Sequence, residues 1–249
     1  MINPDVVNPV MVEYAADLLR NRTGLHLETP IAEFIGTDPT PVRLTEAALA
    51  ITKRDILLPY ISALLVDPSG TAFDSKPAFM LVAEDEQGQI EGLHALTLAL
   101  GPKWDVRLHA WMEGRRFTED PHTHDNPFGS VVIVGSFADE VLIRAGPGEI
   151  GRPYVEWLHG QADPLGKVAL RSFESRFFEP GEYHTMPGTL IHSAKVNPRG
   201  ISATVVVRHF SGIPGSDFTS GPPTITSPHI QVVNGLDTLR RVRAALKDM

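Results

Sequence analysis

The chain has 249 residues, 42% of them hydrophobic and 21% charged, enough for one sizeable core, and it contains no cysteine. A formal net charge of −8 and a pI near 5.7, with lysines and arginines scattered along the chain, argue against nucleic acid or an anionic membrane as the main partner and favour a small molecule. Without cysteine there is no disulfide, no thiolate metal site and no cysteine nucleophile, so any metal must be held by His, Asp or Glu.

The opening "MINPDVVNPVMVEY" lacks a basic stretch followed by an apolar one, and no window approaches the ~20 apolar residues of a membrane span. A soluble, cytoplasmic protein is the expectation. The first hundred residues carry mostly helical signals. "PVMVEYAADLLRNR" sets Val10, Val12, Ala15, Leu18 and Leu19 at helical spacing, and "LTEAALAITKRDILLPYISALL" runs long, with Thr45 as cap and Pro59 as a kink or break. The turn-rich "FIGTDPTPVR" separates them. From about Lys103 the period changes to two: in "VRLHAW", Val106, Leu108 and Ala110 share one face, and Arg107, His109 and Trp111 the other.

Short β-branched or aromatic segments follow in series: "SVVIVGSF", "EVLIRAG", "VALRSFESRFF", "GEYHTM", "TLIHSAKV" and "ISATVVVRHF". Gly, Pro, Asn and Asp punctuate them, the pattern of an antiparallel sandwich or barrel. In "LDTLRRVRAALKDM", Leu236, Leu239, Val242 and Leu246 form one stripe, predicting a helix packed outside the barrel. The expected division is a mainly helical segment over 1–102 and a β-barrel with its closing helix over 103–249, together one compact unit.

The chemistry concentrates in "FTEDPHTHDNPFGSVVIVGSF". His122 and His124 are two residues apart, so in extended chain both rings face one side and can aim at one point. Neutral imidazole binds divalent iron, zinc, copper and nickel; the plain alternative is a polar pair ahead of a strand. A third candidate, His192, lies in "FFEPGEYHTMPGTLIHSAKVNPRG", inside the second of two strands punctuated by Gly181 and Pro187.

Here the chain resembles the cupin superfamily. That family's first motif is His-x-His, a glutamate about four residues on, then a glycine; its second is Gly, five residues, Pro-x-Gly-x-x-His. His122, His124 and Gly135 match the first, and Gly181, Pro187 and His192 the second. The glutamate position falls on Pro127, Phe128 or Gly129, and the inner glycine is Thr189, with Gly188 one residue early. The run "KWDVRLHAWMEGRRFTEDPHTHDNPFGSVVIVGSFADE" is similar to cysteine dioxygenases and related thiol dioxygenases, and the resemblance spans roughly 103–210. It implies a cupin-type β-barrel and an Fe(II) centre on His122, His124 and His192, with no carboxylate ligand. Gly129 falls where animal members carry a cysteine cross-linked to tyrosine. The family's substrate arginine has no counterpart in "EGLHALTLALGP", and its Ser-x-His-x-Tyr relay is not found in "ISATVVVRHF", although Ser202 and His209 lie nearby.

Three neutral imidazoles leave a divalent ion its full charge and about three of six positions open, which favours an anionic, chelating substrate. On Fe(II) such a substrate would prepare the ion for O2. Arg107 and Arg208 are the candidates to bind a substrate carboxylate, and Tyr183 and His209 the candidate catalytic groups. Arg107 and His109 could equally lie on a solvent face, and Tyr183 and His184, being adjacent, cannot both point inward. Trp104, Trp111 and Trp157 read as core or interface residues, and His26, His94 and His159 as surface or satisfied histidines. The leading expectation is a mononuclear non-haem Fe(II) dioxygenase acting with O2 on a small thiol or enolisable acid, with Zn, Ni or Mn as other metals. The alternatives are an isomerase, lyase or hydrolase using the ion as Lewis acid, and a small-ligand-binding barrel without turnover. A homodimer is expected from frequency alone.

Overall fold

The structure, a computed structural model, describes residues 6–21, 27–66, 79–84, 90–112, 117–118, 120–124, 126–158, 163–196, 200–210, 215–219 and 236–248. Four helices come first: α1 (Pro9–Asn21), α2 (Glu28–Ile35), α3 (Pro41–Ile51) and α4 (Arg54–Val66). Helix α3 starts where Thr40, in extended conformation, accepts a hydrogen bond from Arg43 N at 3.2 Å and Pro41 fills the first helical turn. The cap is therefore Thr40 and not Thr45, which sits one turn in and fully buried. The long helical run breaks at residues 52–53, between α3 and α4, while Pro59 is held inside α4.

Strands β1 (Phe79–Glu84) and β2 (Ile90–Leu100) follow, then β3 (Trp104–Trp111), β4 (Phe117–Thr118), β5 (Phe128–Val134) and β6 (Phe137–Arg144). Next come β7 (Arg152–Leu158), β8 (Pro164–Phe178), β9 (Tyr183–Met186), β10 (Ile191–Val196), β11 (Ser202–His209) and β12 (Ser216–Thr219). They form two antiparallel six-stranded sheets, ordered β1-β2-β3-β11-β5-β9 and β12-β7-β8-β6-β10-β4, which curl into a mainly β barrel. The helical expectation for the first 102 residues holds only to Val66 among the described residues. β1 and β2 pair with each other and β2 pairs with β3, so the sheet begins before residue 103. The apolar "LHALTLAL" reads equally as helix or strand in isolation, and the edge of β3 decides it.

The first sheet is covered outside by the helices. Val106, Leu108, Ala110, Val131, Ile133, Val205 and Val207 share one cluster with Leu44, Ala48, Ile51 and Ile61. Burying a side chain such as Leu44 or Ile61 contributes roughly 1.5–3 kcal/mol. β5 is buried at every position because α3 lies on one face and the barrel interior on the other, so its sequence shows no alternation. Gly129 permits this approach: a Cβ there would overlap the Thr45 backbone. The closing helix α5 (Leu236–Asp248) adds Leu239 and Val242 to the same cluster, as its stripe predicts. Trp111, Val132, Phe137, Phe178, Ala194 and Val196 pack between the sheets, with Trp111 stacked on Phe137 at 6.3 Å.

Among the described residues no helix is long and apolar enough to cross a membrane.

Candidate metal centre

The backbone brings His122 and His192 together first. Each donates its N–H to the other's carbonyl at 2.9 Å, an antiparallel bridge that sets their side chains on the same face. His122 belongs to no longer ladder, since Pro121 before it has no N–H to give. Thr123 points the other way and accepts from Ser216 N at 2.7 Å, while its own N–H bonds Ser216 O. His124 is fixed by its N–H to Gly188 O at 2.9 Å, where a Cβ on residue 188 would come within 3.0 Å of the His124 carbonyl. This explains the shifted glycine: the turn packs against the loop at residue 188, and Thr189 is exposed.

The three rings converge, with one nitrogen from each within 4.8 Å of the others. His124 Nε2 and His192 Nε2 are 2.7 Å apart. His122 Nδ1 lies 2.9 Å from Asp120 O, so it carries its proton there and directs Nε2 toward the cluster. His192 Nδ1 likewise donates to Asp139 Oδ1 at 2.8 Å. His124 Nε2 is then left to donate to the lone pair of His192, an arrangement a divalent cation can replace once the His124 proton moves to Nδ1, the ring staying neutral. Burial pushes the His124 imidazole well below its ordinary range, helped by His122, His192, Arg208 and His184, which keeps it neutral. The donor set thus fits a divalent first-row ion. His192 is buried while His122 and His124 are half-buried, so the group opens on their side.

On the β5 side the three rings meet a wall. Phe128 sets its ring edge-on to His124 at 4.7 Å, and no carboxylate from this strand can reach the histidines. Gly129 faces α3 and not the interior, so a side chain there could not lie beside the three histidines.

A second group, Asp139, His184 and His192, adjoins the first through the other nitrogen of His192. His184 is nine-tenths buried among Phe128, Phe137 and Phe178 at 5.3–5.9 Å. Its Nε2 approaches Asp139 Oδ2 at 3.2 Å without the alignment of a hydrogen bond, and neither ring nitrogen has a hydrogen-bond partner among the described residues. Burial raises the Asp139 carboxyl, but His184 and His192 outweigh it and hold the group well below the usual carboxylate range.

The arginines form a third cluster on the interior face. Asp105, 1% exposed, accepts two bonds from Arg208, Nε at 2.8 Å and Nη2 at 2.5 Å, and one from Arg107 Nε at 2.7 Å. Two guanidinium groups share one carboxylate, leaving a half-buried surplus of positive charge. Arg208 pairs across the sheet with Phe128, whose ring touches His124, so this charge borders the histidines. Burial, with Arg208 and Arg107, holds His109 neutral, its pKa lowered to about 3.

Two candidate catalytic residues lie elsewhere. Tyr183 is 41% exposed on the outside of β9, and its neighbour His184 takes the interior face. His209 is buried, but alternation along β11 puts it on the face opposite Arg208, where its Nε2 has no hydrogen-bond partner among the described residues. Ser202 is spent on the Gly135 turn, bonding Ser136 O at 3.0 Å and Ser136 N at 3.2 Å. Trp104 and Trp111 are core, Trp157 donates to Thr219 at 3.0 Å, and His94 is satisfied by Thr238 at 2.8 Å. His26 and His159 lie outside the described residues. Asp139 and Asp105 were missed as site residues because each matters only through partners on other strands. A cleft of about 240 Å³ between α3, α4, α5 and β5, lined by Leu49, Leu57, Val131 and Leu246, is walled off from this chemistry by the first sheet.

No protein-family model matches the chain, and no curated protein matches it. Among solved structures it is similar to Bacillus subtilis oxalate decarboxylase, at 17% identity and a TM-score of 0.31, covering 49% of this chain and 26% of that one. It is also similar to an oxalate oxidase, at 17% identity and a TM-score of 0.33, covering 63% and 72%. A cupin domain from Schizosaccharomyces pombe gives 8% identity and a TM-score of 0.30, covering 48% and 66%. The chain thus spans about a quarter of the decarboxylase, and likenesses at this level fix no activity.

Proposed function

We propose that the protein is a metal-dependent enzyme acting on a small anionic molecule, and more narrowly a non-haem Fe(II) dioxygenase. The observation that carries the reading is the convergence of His122, His124 and His192 with no carboxylate among them, beside a half-buried guanidinium pair. When bound there, Fe(II) would supply a redox-active Lewis acid whose charge the three neutral imidazoles leave uncompensated.

The protein's own groups would do the rest. Arg208, held by two bonds to Asp105, braces the cluster, and Arg107, held by one, keeps donors to spare for a substrate carboxylate. His109 stays neutral and adds no charge to this cluster. Phe128, Phe137, Phe178 and Trp111 keep the inner end dry, which strengthens each charged contact at the open end. These assignments make the substrate bifunctional, with one anionic donor for the ion and a carboxylate for Arg107.

The test is metal analysis of protein purified without added metal, followed by oxygen uptake with Fe(II)-loaded protein on a panel of small thiols and enolisable acids. Uptake with at least one substrate, abolished on replacing Fe(II) with Zn(II), is the expected result. Full turnover with Zn(II) in the absence of O2 would overturn the dioxygenase reading and leave the Lewis-acid one.

A further inference from the structure

Asp139 is 3% exposed, and both of its oxygens are met by imidazoles: Oδ1 by His192 Nδ1 at 2.8 Å and Oδ2 by His184 Nε2 at 3.2 Å. A guanidinium was available to it. Arg176 lies directly across on β8, yet it bonds Glu174 at 2.6 Å and is largely exposed. A buried carboxylate that forgoes a neighbouring arginine for two histidines is placed for the histidines, whose contacts outweigh the desolvation of its charge.

We propose that Asp139 is the positioning residue of the metal centre: it holds the proton on His192 Nδ1, so that Nε2 presents its lone pair to the ion. It also supplies, from one hydrogen bond away, the negative charge that a ligating carboxylate would bring. The inference rests on His122, His124 and His192 binding the metal. Its logic is that a histidine ligates with only one nitrogen, and the bond made by the other decides which. His192 is one residue into β10, and Asp139 lies on adjacent β6, two registers from it. The carboxylate therefore reaches the ring from the side away from His124. A divalent ion, Arg107 and Arg208 together bring more positive charge than Asp105 offsets, and β5 presents Phe128, not a carboxylate, beside His124. Asp139 restores the missing charge without taking a coordination position. His184, wedged among three phenyl rings on the far side, closes Asp139 off from water.

The test uses Zn(II), which is redox-silent, on the full chain, by competition with a chromophoric chelator, with long-range 15N–1H NMR of the histidine rings in the metal-free protein. Asp139→Asn keeps size and shape but not charge, and is expected to weaken Zn(II) binding about 10- to 100-fold. His192 should be the Nδ1–H tautomer in the wild type and lose that uniform state in the variant. A merely structural role would lower the melting temperature and leave the tautomer unchanged. Wild-type His192 carrying its proton on Nε2 would overturn the proposal even if Asp139→Asn fails to fold. Zn(II) binding unchanged in a folded Asp139→Asn would overturn it too. Zn(II) retained by His124→Ala and lost by Asp139→Asn would put the ion between Asp139 and His184, and so overturn the positioning role. If the wild type binds no Zn(II), Fe(II) or Ni(II), the functional reading falls instead, while the tautomer measurement still judges the Asp139–His192 pairing.

Discussion

His124 and His192 stand 68 residues apart in the chain, and their Nε2 atoms meet at 2.7 Å. Two such nitrogens cannot both keep their lone pairs at that distance without a proton or a cation between them. Their approach is set by two backbone attachments, His122 to His192 and His124 to Gly188, so the pair is held before any ion arrives.

The two histidines around Pro187 should therefore differ sharply. His192→Ala removes one of three converging nitrogens, and metal occupancy is expected to fall by orders of magnitude. His184→Ala, which only flanks Asp139, should cost about 10- to 100-fold. Side-by-side metal analysis of the two variants checks this; occupancy kept by His192→Ala and lost by His184→Ala would contradict the register.

Metal occupancy at half-saturating Zn(II) should drop as pH falls through the imidazole range, about 6 to 6.5, because a protonated ring cannot ligate. His124, held neutral to lower pH, will not be the first to let go. Titrating bound Zn(II) from pH 8 to 5 measures it, and a flat profile would speak against histidine ligands.

The arginines should separate by role. Arg107→Gln leaves Asp105 bonded twice by Arg208, so the fold should persist while KM for a carboxylate substrate rises at least tenfold. Arg208→Gln strips Asp105 of its bidentate partner in a buried site and should cost about 3 kcal/mol of stability. Urea melts and kinetics on both variants decide whether the two effects divide this way.

Gly129→Ala should destabilise the protein by about 1–3 kcal/mol, since the added methyl meets the Thr45 backbone and pushes α3 from β5. Denaturant unfolding measures it. A neutral result would mean that α3 does not pack against β5 at Gly129.

Acid should weaken the fold through His109. Its folded pKa, about 3, lies below the ordinary 6.5, so the unfolded chain binds more protons between those values. Stability is then full above about 6.5 and declines as pH falls, by at most about 1.4 kcal/mol per pH unit for this one group. His109→Leu should give a flatter profile from pH 7 to 4, and an unchanged slope would show that the ring titrates freely in the folded state.

The sequence by itself determined the parts that depend on local pattern. Alternation in "VRLHAW" separated Val106, Leu108 and Ala110 from Arg107 and His109; the stripe in "LDTLRRVRAALKDM" fixed α5; the spacing of His122, His124 and His192 picked out the three rings that converge. Alternation could not say which face of β3 is interior, because both faces are covered, one by α3 and its neighbours and the other by the second sheet. Nor could it make strands of residues 79–100, whose apolar run acquires its period only by pairing with β3. Tertiary structure alone set Arg208 on Asp105 across 103 residues, put Tyr183 outside and His184 inside, and brought Asp139 to His192. A carboxylate's role is fixed by what meets its two oxygens, and those partners come from strands that adjoin only once the barrel has closed.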